Sequence, residues 1–287
     1  MKVIQLHAVE GNVQRLDGGA MYGNVPKAMW QKWSLPDEFN RINLACRCLL
    51  MITDTGRKIL FETGIGCFFD PKLKERYGVF EAGHVLIKNL AKLGISPSDI
   101  SDVVLSHLHF DHAGGLLSEY AAGQKPSLIF DQATYHVGLE HWERAIKPHS
   151  RDRASFVQEL NDLLEKSGRL RLVHGPQDTE LSPLVTFHYS YGHTVGLMLS
   201  EIHLDAGPLV FVADLIPGLP WIHLPVTMGY DRAPEQLIDE KKSLLEALVK
   251  ENGKIFFTHD EHTACAIVKR DEKGRFFGVA SSLPVTP

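Results

Sequence analysis

The sequence predicts a mixed α/β (α+β) fold in which two β-sheets pack together under outer helices. Three observations lead there. Both halves of the chain carry short apolar segments of strand length, residues 103–105 and 209–213 among them. Segments of helical spacing are interspersed with these. The clearest covers 234–252, with Leu237, Ile238, Leu244, Leu245 and Leu248 on its apolar side. No repeat, low-complexity tract or linker interrupts the 287 residues, so 1–287 reads as one domain.

Taken in order, residues 2–16 read as a first strand and the start of a hairpin. Residues 17–26 are rich in turn formers yet carry Met21 and Tyr22, with Trp30, Trp33 and Leu35 beyond. A long loop bearing such side chains is a lid, a pocket wall or a packed insertion. Residues 42–53 read as one strand, Asp54-Thr55-Gly56 as a turn, and 58–62 as the returning strand of a hairpin. Phe68 and Phe69 suit a pocket wall or the core. Residues 84–93 have helical spacing, and Ser96-Pro97-Ser98-Asp99 has the cap and proline of a helix start. Residues 127–131 read as a strand, and 138–147 and 151–167 as helices. The segment around His141, Trp142 and His149 reads as an insertion shaping a pocket mouth. Strands follow at 170–173, 185–190, 197–204, 209–213 and 254–258. Two last short strands meet at the turn Asp271-Glu272-Lys273-Gly274.

Composition excludes several classes. Hydrophobic residues make 44% and charged residues 23%, as in soluble globular proteins. A net charge of -5 and a pI near 6.3 argue against nucleic acid as a partner. No apolar run is long enough to span a bilayer, and the N-terminus lacks a signal-peptide core, so the cytoplasm is the expected location. Cys46, Cys48, Cys67 and Cys265 lack zinc-ribbon or redox spacing and read as buried, reduced thiols, with Cys67 the one expected near the site.

Chemistry concentrates in Ser106-His107-Leu108-His109-Phe110-Asp111-His112-Ala113-Gly114-Gly115. An apolar strand precedes it and two glycines follow, so the polar side chains fall where a strand gives way to a loop. In extended chain, i and i+2 point the same way, which lets His107 and His109 chelate one metal. Asp111 and His112 sit where the chain turns and aim at a second position. Imidazole with carboxylate suits zinc, and also manganese or iron. Three more candidates sit at strand ends: His193 in Gly192-His193-Thr194, Asp214 after an apolar strand, and His259 after another.

The pattern His-x-His-x-Asp-His resembles the signature of the metallo-β-lactamase superfamily. His109, where flavodiiron relatives carry Glu, places the likeness in the hydrolase branch. The resemblance implies the αββα sandwich and two divalent metal ions, zinc first. His107, His109 and His193 would hold one ion, Asp111, His112 and His259 the other, and Asp214 would bridge both. A metal-bridging hydroxide would be the nucleophile, and Asp111 would carry its proton to the leaving group. Asp260 would orient a ligand imidazole. Glu62-Thr63-Gly64 stands where the superfamily usually has Asp-Thr-Gly, so Glu62 would support the site from behind the ligands.

The spacing of His193, Asp214 and His259 resembles the acyl-homoserine lactonases, and residues 17–23 resemble lactonase-like and methyl-parathion-hydrolase-like members. The lactonases often carry Tyr three residues after the bridging Asp to stabilise the oxyanion. Pro217 stands here, leaving Tyr22, His223 or Tyr230 as replacements. The expected activity is hydrolysis of a lactone or carboxylic ester. The rivals are a phosphotriesterase, a glyoxalase II-like thioesterase and a non-catalytic metal-binding sensor of an acyl ligand. The expected partners are a small-molecule substrate with an apolar part and, as a homodimer, a second copy of the chain; neither nucleic acid nor membrane is expected.

Overall fold

The computed structural model describes residues 1–177, 180–182 and 184–283. The described strands are β1 (Val3–Glu10), β2 (Gln14–Asp17), β3 (Arg41–Leu44), β4 (Arg47–Thr53), β5 (Lys58–Phe61), β6 (Asp102–Leu105) and β7 (Thr134–Gly138). They continue with β8 (Leu170–Val173), β9 (Val185–Ser190), β10 (Leu197–Ile202), β11 (Leu209–Phe211), β12 (Lys254–Phe256), β13 (Cys265–Arg270) and β14 (Phe276–Ala280). The helices are α1 (Gly18–Tyr22), α2 (Lys27–Trp30), α3 (Pro71–Tyr77), α4 (Val85–Lys92), α5 (Phe110–Ala113), α6 (Leu139–Ile146), α7 (Gln158–Lys166) and α8 (Pro234–Glu251).

The chain packs as two compact units, each with one six-stranded sheet. The first joins Met1–Gln14 to Ala45–His174; the second joins Arg15–Leu44 to the described part of 175–284.

The first unit's sheet runs β1-β4-β5-β6-β7-β8. β1, β4 and β5 are antiparallel neighbours, and β5 through β8 are parallel. Parallel neighbours need a crossover, and α4 and α6 lie in two of them. β6 is buried along its whole length, as a central parallel strand must be. Leu86 and Leu90 of α4, Trp142 and Ala145 of α6, and Leu160 and Leu164 of α7 join Leu50, Leu60, Val103 and Val137 in one core. Each such leucine contributes roughly 1.5–3 kcal/mol by leaving water.

The second unit's sheet runs β14-β13-β12-β11-β10-β9, antiparallel except for the parallel pair β11–β12. α8 buries Leu237, Leu245 and Leu248, and with them Lys241. β2 and β3 form a small separate ribbon.

Five expectations need correction. β1 does not turn into a hairpin with β2; it pairs with β4, because the chain from Gly11 is tied down elsewhere. The single strand over 42–53 is two strands in different sheets, parted at Ala45-Cys46. β3 alternates in burial and β4 is almost wholly buried, but no breaker stands between them, so the pattern read as one strand. No strand forms over 127–131, where Leu128 makes only an isolated bridge to Leu117. The neighbouring strand is β7, whose inward His136 disguised it; that imidazole meets Asp102 at 2.8 Å. The helix over 151–167 is a short turn at Arg153–Ser155 followed by α7, and Ser96 caps a single turn, Pro97–Asp99. Among the described residues, no helix is long and apolar enough to cross a membrane.

Candidate functional site

In the first unit the ligand loop leaves the carboxyl end of β6, the usual place for ligand groups in parallel sheets. The backbone of Leu108 is held by His141, whose Nε2 accepts its N–H at 2.8 Å. His141 is fully buried and its ring stands edge-on to that of His107 at 5.8 Å, so it supports the loop from within. The chain then turns into α5, which carries Asp111 and His112.

The imidazoles converge. His107 Nε2 lies 3.1 Å from His109 Nδ1, and the His107 and His112 rings are 4.0 Å apart. His107 turns its other nitrogen, Nδ1, to Ser106 Oγ at 2.9 Å. His112 turns Nδ1 to Glu62 Oε2 at 3.0 Å and Nε2 toward Asp111 Oδ1 at 3.8 Å. Glu62, His107 and His112 each offer a ligand atom within 4.8 Å of the others. Glu62 also accepts the Ser106 N–H at 2.9 Å, so its carboxylate ties β5 to the start of the ligand loop. It does this at φ 65°, a left-handed conformation that costs a side-chain-bearing residue energy. Phe68, Phe69, Tyr77 and Phe110 pack together nearby in this unit.

In the second unit Asp214 lies beyond β11, His259 beyond β12 and His193 beyond β9. Asp214 gives one oxygen to each imidazole: Oδ2 is 3.2 Å from His193 Nε2, and Oδ1 is 3.2 Å from His259 Nε2. His193 places Nδ1 against Asp231 Oδ1 at 2.9 Å. Asp231 is itself fixed by the Met228 N–H at 2.7 Å. Asp260 takes backbone N–H groups from Leu219, His262 and Thr263, which staples the loop after His259. The carboxylate beside the His193 ring is Asp231, which no local motif marks.

The donor set fits divalent metal ions. In His107, His112 and His193 the Nδ1 atom meets an oxygen, which leaves Nε2 to ligate, the arrangement by which supporting carboxylates orient metal-bound imidazoles. Ligand atoms about 2.0–2.1 Å from a tetrahedral ion stand roughly 3.3–3.4 Å apart. The separations of 3.1 and 3.2 Å lie close to that.

Tyr22 is fully buried, stacked on Trp221 at 4.5 Å and on Trp30 at 5.5 Å, and its hydroxyl shares a 2.7 Å hydrogen bond with Ser34. The segment around it is therefore a packed insertion. Burial pushes the Tyr22 phenol up to about 12, with the nearby Asp260 charge adding to the rise and the Ser34 bond opposing it. His223 is exposed and stacks on Trp33 at 5.9 Å. Both line a groove of about 580 Å³ with Met29, Pro225 and Phe276. Tyr230 is exposed. Pro217 offers its carbonyl to the His259 N–H at 3.1 Å. Lys241 donates to the carbonyls of Trp221, His223 and Val226 at 2.8–3.1 Å, fixing the loop that carries His223. All four cysteines are free and buried.

Comparisons with known proteins follow the same lines. The model of the metallo-beta-lactamase superfamily matches residues 43–259. An N-acyl homoserine lactonase of Bacillus cereus is 28% identical over 236 residues, 77% of this chain and 83% of that protein. N-acyl homoserine lactonase AiiA of Bacillus thuringiensis subsp. kurstaki is 28% identical over 233 residues, 76% of this chain and 82% of its own. Among solved structures, a probable metal-dependent hydrolase from Staphylococcus aureus superposes with a TM-score of 0.85 at 28% identity, covering 99% of this chain and 100% of that one. AidC, a dizinc quorum-quenching lactonase, shares the fold with a TM-score of 0.74 at 22% identity, covering 99% and 98%.

Proposed function

Because the chain belongs to the metallo-β-lactamase superfamily, we propose that it is a dinuclear metal-dependent hydrolase of a lactone or carboxylic ester, with zinc as its metal. His107, His109 and His193 would hold one ion, Asp111, His112 and His259 the other, and Asp214 would serve both. The observation that carries this reading is the orientation of the side chains: the Nδ1 atoms of His107, His112 and His193 meet oxygens, His107 Nε2 lies against His109 Nδ1, and one Asp214 oxygen faces each of two imidazoles. The lactonases at 28% identity support a lactone as the substrate class.

Two divalent ions, when bound, supply Lewis acidity and bring the pKa of a water toward neutrality. The chain's own groups do the rest. Asp111 ligates, holds the proton of the attacking water and hands it to the departing alkoxide. Glu62 and Asp231 hold the His112 and His193 rings in the ligating tautomer. His223 is the group proposed to donate to the oxygen on which charge develops; the Tyr22 hydroxyl is held by Ser34 inside the packed insertion. With its phenol pushed up to about 12, Tyr22 keeps its proton through the neutral range. The apolar side chains of the Tyr22 segment, Trp33 among them, suit a substrate with an apolar part. A cytoplasmic location belongs to the same proposal and agrees with the four free thiols.

The test is elemental analysis together with kcat/KM for a medium-chain lactone, an aryl ester and a neutral aryl phosphotriester. We expect close to two equivalents of metal per chain, and carbonyl turnover lost to a chelator and restored by zinc. One equivalent or fewer refutes the dinuclear site. A phosphotriester preferred tenfold over both carbonyl substrates, about 1.4 kcal/mol at the transition state, replaces the substrate class.

A further inference from the structure

The segment that leaves β1 is fastened residue by residue, and the reaction as proposed makes no use of it. Gly11 donates its N–H to Cys46 O at 3.2 Å. Asn12, fully buried, donates from Nδ2 to Gly83 O at 3.0 Å and accepts the Val85 N–H at 3.1 Å. Val13 donates its N–H to Glu81 Oε1 at 2.9 Å. The next residue, Gln14, is also fully buried, and its Nε2 donates to Asp111 Oδ2 at 2.5 Å. Three anchored residues in a row thus deliver one carboxamide to the carboxylate proposed to carry the proton.

The orientation of that carboxamide is forced. Flipped, it would set Oε1 against Asp111 Oδ2, acceptor against acceptor. Unflipped, Oε1 is buried with no hydrogen-bond partner among the described residues. A buried acceptor left unsatisfied costs stability. The fold accepts that cost where it keeps an N–H on Asp111. Asp111 Oδ1 is meanwhile directed toward His112 Nε2 at 3.8 Å. Rotation about the last torsion of an aspartate is soft. A donor fixed on one oxygen removes that freedom and holds the other oxygen on the side of the imidazoles.

We infer that Gln14 is a positioning residue: it locks the Asp111 carboxylate so that Oδ1 alone is presented to metal and proton. The inference rests on Asp111 being ligand and proton carrier, and its test separates the two claims. The experiment is a double-mutant cycle on the metal-loaded protein, using whichever carbonyl substrate it turns over. Gln14→Met keeps length and burial but has no donor. It should lower kcat by about 10–100-fold, the scale set by other supporting partners of metal ligands. KM should stay within twofold, and metal loss to a chelator should quicken. Combined with Asp111→Asn it should add nothing, because the group it positions has gone. Gln14→Leu, also apolar and without a donor, is measured alongside under the same criterion, so a Met variant that does not fold leaves the test intact. A rate within twofold of the unsubstituted protein, or an effect that persists undiminished in the Asp111→Asn background, overturns the inference. Normal turnover by Asp111→Asn with both metals retained overturns instead the role given to Asp111, and the positioning claim with it.

Discussion

Glu62 shows how much of the site rests on single side chains. One of its oxygens takes the Ser106 N–H and the other faces the His112 ring, from a left-handed backbone. Glu62→Gln preserves the shape but removes the charge opposite His112. We expect metal affinity or turnover to fall about 10–100-fold, read by competition with a chromogenic chelator. Unchanged affinity and unchanged rate would reduce Glu62 to a strand-end residue. The candidate ligands could be named from the sequence because strand-end chemistry clusters locally in His107–His112 and recurs at His193, Asp214 and His259. Of their partners, Glu62 was named through the family resemblance; the others were not. Asp231 lies far along the chain from His193, His141 from Leu108, and Gln14 from Asp111, and no local spacing encodes such meetings.

At the scale of elements, strands deliver ligands and helices hold loops. Lys241 of α8 is buried, and its amine donates to three carbonyls of the loop Trp221–Val226. Burial pushes its ammonium down to about 7, with the Asp231 charge opposing. Lys241→Met would leave three carbonyls, two of them buried, to find other partners. We expect a loss of roughly 2–4 kcal/mol in unfolding free energy, measured by denaturant titration, while both metals are retained. A loss below about 1 kcal/mol would mean that other contacts hold the loop. The sequence marked Lys241 only as a position on an amphipathic helix; its three acceptors belong to a loop earlier in the chain. Strand readings failed where burial hides periodicity. The 42–53 run has no Gly or Pro to mark the sheet change at Ala45-Cys46, and β7 carries a polar residue inward.

For the molecule as a whole, the mixture of two sheets with outer helices was readable, but which strand pairs with which was not, since pairing is set by contacts distant in sequence. One such contact ties stability to pH. Burial alone would raise the Asp102 carboxyl, but hydrogen bonds from His136 and Arg57, and then the Arg57 charge, hold it down at about 2. A carboxylate held low in the fold stabilises it above the unfolded value near 4, and that contribution drains away as pH falls toward 2. It amounts to about 2 kcal/mol. Asp102→Asn should therefore flatten the fall in unfolding free energy between pH 5 and pH 2 by about that amount. An identical slope in the variant would show that the acid sensitivity arises elsewhere.

Where the ligand loop closes, the backbone has no slack. A methyl group on Gly115 would sit 2.0 Å from the Thr63 carbonyl oxygen, and one on Gly114 would lie 2.6 Å from that of Ile65. A methyl group on Gly66, at φ 63°, would lie 2.7 Å from Gly115 Cα. Any side chain there pushes main chain against main chain, so these positions are closed to mutation. The groove beside Trp33 and His223 is walled instead by side chains on exposed loops, which tolerate exchange. A change in that wall can therefore be absorbed by side chains alone, whereas a change at any of the three glycines must move the main chain that carries Asp111 and His112.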